Sequence, residues 1–115
     1  MHRKMSLVTA TIPALVLNAL RDELVALGIK GMTVSQVATA DEEDIDLSRG
    51  ATRSGRFKSP LQIVIETVVS QTLAPAVIAA ISSACRDTQV GRVAIHVSDV
   101  LFGVRVRNGD VVHEG

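Results

Sequence analysis

An α+β sandwich in the order βαββαβ, with both helices on one face of an antiparallel sheet, is predicted by three features of this sequence. Apolar residues recur at helical spacing in two segments, four segments rich in valine, isoleucine and threonine read as strands, and glycine or proline signals punctuate them. The chain has 115 residues, 47% of them hydrophobic and 21% charged. That is enough for one core and too little for two, so residues 1–115 are expected to form a single domain.

The elements follow in order. Residues 6–12, "SLVTATI", are β-rich, and Pro13 then opens "PALVLNALRDELVALG", in which Leu17, Leu20, Leu24 and Leu27 keep helical spacing and Gly28 supplies a C-cap. Residues 31–39, "GMTVSQVAT", alternate as a second strand. Residues 61–69, "LQIVIETVV", form a third that is almost continuously apolar and therefore central. Ser70 or Thr72 is placed to cap a second helix, "LAPAVIAAISSACR", with Pro75 in its first turn and Val77, Ile78 and Ile81 on its buried face. "VAIHVSD", residues 93–99, is a fourth strand, followed by the short "GVRVR" strand and an "NGD" turn.

Composition excludes several function classes. Twelve Lys and Arg balance twelve Asp and Glu, so no global basic field holds the protein on nucleic acid or on an anionic membrane. The two aromatic residues, Phe57 and Phe102, with no Trp or Tyr, argue against a base-stacking surface for single strands. The single cysteine, Cys85, excludes an internal disulfide and reads as a small hydrophobe on a helix face. The N-terminal apolar run is short and cut by Pro13, unlike a secretory signal or a membrane span, so a cytoplasmic protein is expected. His2, His96 and His113 make no ligand-spaced cluster, and His96 reads as a packed sheet residue; no metal site is expected. No nucleophile–base pair stands out either, so the chain is not expected to be an enzyme.

The stretch 40–60, "ADEEDIDLSRGATRSGRFKSP", is long for a connection between two strands that pair as a hairpin. Asp41, Glu42, Glu43, Asp44 and Asp46 come first, then Arg49, Arg53, Arg56 and Lys58. Two readings fit: a solvated loop with internal charge attraction, or an arm that contacts a partner.

Several stretches together resemble the PII signalling proteins: "LNALRDEL", "GMTVSQV", "LSRGATR" in the long loop, "IVIETVV", and "RDTQVGRVAIHVSDVLFGVRVRNGD" near the end. The resemblance covers almost the whole chain. It implies a ferredoxin-like βαββαβ fold with a long T-loop at about 40–60, a homotrimer, an adenine-nucleotide site in each cleft between subunits, and a T-loop that docks on a target protein. A membrane enters only indirectly, if the target is a transporter.

Carried over by position, the resemblance places Gly31, Met32, Thr33 and Val68 around the adenine and Glu66 near the ribose. Thr88, Gln89, Val90 and Gly91 would turn backbone N–H groups to phosphates. Arg105 and Arg107, two apart on an extended strand, share one face, with Val104 and Val106 expected to turn to the core; such paired guanidinium forks suit phosphate oxygens. Arg49, Arg53 and Arg56 are the expected partner contacts.

The departures from the family pattern narrow the ligand. A family lysine at the distal phosphates is Ala94 here, and Arg92 either supplies a replacement charge or stands exposed. The segment "ATADEE", 38–43, lacks the glycines and glutamine that help hold Mg-ATP with 2-oxoglutarate, and the family's modified tyrosine is Arg53. ADP or AMP is therefore expected in preference to ATP. Bicarbonate is the expected co-ligand, as in family members tied to inorganic-carbon uptake or carboxysome gene clusters. The alternative is an interaction trimer whose nucleotide site has decayed.

Overall fold

The computed structural model describes residues 4–37, 62–86, 88, 93–107 and 110–114; the side chains of 105, 107 and 110–114 lie outside that description. A four-stranded sheet carries the chain, with strands β1 (Met5–Pro13), β2 (Thr33–Val37), β3 (Gln62–Ser70) and β4 (Ala94–Val100) in the spatial order β2-β3-β1-β4. Each neighbouring pair is antiparallel. Helix α1 (Leu17–Ala26) follows β1 through a single 3-10 turn, and α2 (Ala74–Cys85) follows β3. This is the ferredoxin-like arrangement expected from the sequence.

Alternation along the two central strands decides which face the helices cover. Ser6, Val8, Ala10 and Ile12 of β1 are buried while Met5, Leu7, Thr9 and Thr11 are only half-buried. Ile63, Ile65, Thr67 and Val69 of β3 repeat the pattern. Their apolar members join Leu20 and Leu24 of α1 and Val77, Ile81 and Cys85 of α2 in one core. Both helices therefore lie on the same face, and the residues between these positions make an open face. Burial also pushes the Cys85 thiol above its ordinary range.

Helix α1 ends as its glycine dictates. Gly28 has φ 96°, its N–H donates to the Val25 carbonyl at 3.0 Å, and the next N–H, of Ile29, reaches the Leu24 carbonyl at 3.1 Å. That pairing satisfies the last turn's carbonyls and sets buried Ile29 against the same core as Leu24.

The structure corrects the sequence reading at several points. The N-cap of α2 is Leu73, without a side-chain cap bond; Ser70 and Thr72 instead stand with their hydroxyl oxygens 3.2 Å apart. Pro75, near the start of the helix, has no N–H to be capped, which removes part of the need. Leu17 and Ile78 are half-buried and Leu27 is exposed, so the buried stripes are narrower than expected. Strand β2 begins at Thr33 and is exposed on both faces for most of its length, because it is a sheet edge beyond the helices. A further strand, β6 (Asp110–Glu114), pairs with β5 (Gly103–Arg107) in a separate two-stranded sheet. Val104 and Val106, expected in the core, are 46% and 67% exposed, since that hairpin is no part of the main sheet.

Candidate functional site

The β2–β3 edge gathers five of the expected ligand-binding residues. Thr33 is registered opposite Glu66, and Glu66 is registered opposite Thr9 on the other side. Because opposed residues of an antiparallel pair project to one face, Thr33, Glu66 and Thr9 form a row on the open face, which His96 of β4 completes opposite Thr9. Val68, two residues on from Glu66, shares that face and is 49% exposed. Glu66 itself is half-buried and His96 exposed, so His96 is not the packed residue expected from the sequence. Two strand spacings put Glu66 and His96 about 10 Å apart.

Gly31 and Met32 enter from the segment between α1 and β2. Gly31 is exposed and Met32 half-buried against the core. The β2–β3 ladder stops at Thr33 and Glu66, and just beyond it the Thr67 hydroxyl donates to the Gly31 carbonyl at 2.9 Å. Added to Gly31, a Cβ would meet nothing within 4 Å, and its φ lies outside the left-handed region. Neither packing within the chain nor backbone conformation explains a glycine there.

Of the remaining expected residues, only Thr88, Arg105 and Arg107 fall among the described residues, and they belong to other elements. Thr88 follows α2, where its hydroxyl donates to the Cys85 carbonyl at 2.8 Å and its N–H to the same oxygen at 3.1 Å, closing the end of the helix. Arg105 and Arg107 belong to β5 in the separate hairpin, and their side chains lie outside the description. Gln89, Val90, Gly91 and Arg92, and the loop residues Arg49, Arg53 and Arg56, lie outside the described residues. Thr67 is the residue that sequence reasoning missed. Its signal was a lone hydroxyl on the helix-facing side of β3, where Ile63, Ile65 and Val69 are apolar. Among the described residues no group of three or more His, Cys, Asp or Glu is placed to hold a metal ion, and no helix is long and apolar enough to cross a membrane.

Comparison with known proteins agrees with this fold. The profile of the family described as "Nitrogen regulatory protein P-II" matches residues 5–110. A nitrogen regulatory protein P-II of Rhizobium etli is 30% identical over 112 residues, covering 96% of this chain and 98% of its own length. Another, from Cereibacter sphaeroides, is 29% identical over 108 residues, covering 92% and 95%. In fold, the chain is similar to the crystal structure of Arabidopsis thaliana PII bound to citrate, with a TM-score of 0.73, 24% identity, and coverage of 96% of this chain and 90% of that one.

Proposed function

Because this chain belongs to the nitrogen regulatory protein P-II family, we propose that it is a trimeric regulatory protein that binds ADP or AMP in clefts between subunits and signals to a target protein through the 40–60 loop. One observation carries the reading: Gly31, Thr33, Glu66 and Val68 meet at one solvent-facing edge, around a glycine that the chain's own packing does not require. Glycine is used where a ligand must approach the backbone closely. Backbone groups at Gly31 and Met32, with the Thr33 hydroxyl, suit the polar edge of an adenine; Val68 supplies an apolar surface, and Glu66 accepts from ribose hydroxyls.

The phosphate groups in this reading come from a different part of the fold. The hairpin that carries Arg105 and Arg107 is a separate two-stranded sheet, and in this reading it completes a site by reaching a neighbouring copy's β2–β3 edge. Large apolar side chains left uncovered on one chain support such an assembly, with Leu101 97%, Phe102 75% and Val106 67% exposed. Ala94, where the family has a lysine, favours a nucleotide with fewer phosphates than ATP.

Bicarbonate is the proposed co-ligand. A planar anion fits a bidentate guanidinium fork, and the citrate in the Arabidopsis relative is support for a small carboxylate-like ligand in this fold. If the anion bridges nucleotide and loop, each ligand tightens the other reciprocally. Calorimetry on the purified protein tests both parts. ADP and AMP are expected to bind more tightly than ATP, and bicarbonate at matched pH and ionic strength to tighten ADP by about fivefold or more over chloride. Equal affinity in the two buffers removes bicarbonate; no adenylate binding in either removes the nucleotide reading.

A further inference from the structure

We propose that Thr67 is a positioning residue, whose single hydroxyl holds the Gly31–Met32 backbone against β3 and thereby sets the site's discrimination between purine bases. The inference rests on the adenylate reading above and adds a residue to it. Thr67 points to the helix side of the sheet, opposite Val8, and is 4% exposed, so it touches no ligand on the open face. Its two chain neighbours, Glu66 and Val68, do project to that face. Through the 2.9 Å bond to the Gly31 carbonyl, one side chain joins both walls of the candidate base pocket.

The bond fixes Gly31 itself, between residues held in other ways: Met32 packs half-buried against the core. Ile29 anchors the segment on one side, 7% exposed in the core, and the ladder pair of Thr33 with Glu66 anchors it on the other. Between them Lys30 and Gly31 are exposed, and Gly31 has no side chain of its own to pack. A free segment here would let the carbonyl and amide edges of Gly31 and Met32 turn, and hydrogen-bonding edges separate one purine from another only when their direction is fixed. An alcohol at position 67 is otherwise poorly suited to its place, among Ile65, Val69 and Val8, all nearly fully buried. A valine would fill that space without a polar group to satisfy.

Thr67→Val tests the proposal because it keeps the shape of the side chain and removes the bond. Thr67→Ser keeps the bond. Amide hydrogen exchange on the ligand-free full chain is expected to speed up over residues 30–33 in Thr67→Val by about fivefold, the worth of one hydrogen bond, and to return towards wild type in Thr67→Ser. Calorimetry with ADP and GDP on the same proteins is expected to show the ADP preference narrowed in Thr67→Val by about fivefold and restored in Thr67→Ser. Unchanged exchange in Thr67→Val overturns the clamp. Faster exchange with an unchanged ADP/GDP ratio overturns its role in selectivity. If wild type binds no ADP, the adenylate reading and the selectivity role fall together, and exchange alone decides the clamp.

Discussion

Gly28 and Gly31, three residues apart, separate the two reasons for a glycine. Gly28 sits at φ 96°, where an L side chain is strained even with open space around it. Gly28→Ala is expected to cost roughly 1 kcal/mol through that backbone alone, seen as a lowered melting temperature with nucleotide affinity unchanged. At Gly31 neither strain nor crowding applies, so Gly31→Ala is expected to leave the melting temperature equal or slightly higher, since alanine reduces the freedom of the unfolded chain. The same substitution is expected to weaken ADP binding about tenfold or more, because in the proposed site the added methyl would stand where the base approaches. A Gly31→Ala protein that binds ADP normally removes Gly31 from the site. At this scale the sequence was legible where backbone geometry has one common solution, as at Gly28. It was silent at Thr67, whose partner lies 36 residues away and exists only once β2 and β3 pair.

Elements were legible in proportion to how far one face is buried. β1 and β3 lie in the middle of the sheet, their alternate residues are buried under two helices, and the sequence shows both strands within a residue or two of their observed ends. β6 was harder. Among the described residues it pairs with β5 alone, outside the main sheet, and the sequence reading ended at the "NGD" turn without a strand after it. The expected cap at Ser70 or Thr72 failed for a related reason: a hydroxyl near a helix start has other partners, and here the two are beside each other. The β5–β6 hairpin is where element and assembly meet. Val104 and Val106 are exposed on one chain, and in the proposed trimer they are covered by a neighbour. Val104→Lys with Val106→Lys is therefore expected to weaken self-association at least about tenfold while the far-ultraviolet circular dichroism stays native. Sedimentation equilibrium reads it, and an undiminished trimer would show that the hairpin lies outside the interface.

On the scale of the whole molecule, one chain supplies a sheet with an open polar row and a hairpin with uncovered valines, and among the described residues the expected ligand set is divided between the two. Thr33, Glu66 and Val68 sit on the main sheet, whereas Arg105 and Arg107 sit on a different one. In the proposed trimer this division gives assembly a role beyond stability, because a site divided between copies forms only on assembly. It also explains what the sequence alone left open: strand spacing shows which residues share a face, but not which copy supplies the opposite wall. In the proposed assembly, adenylate binds at the β2–β3 edge against a neighbour's hairpin. Amide hydrogen exchange of the assembled protein with and without saturating ADP tests it directly. ADP-dependent protection is expected in two separate places, the β2–β3 edge at residues 30–34 and 65–69, and the hairpin at 103–107. Binding of ADP that protects neither place would contradict that assembly.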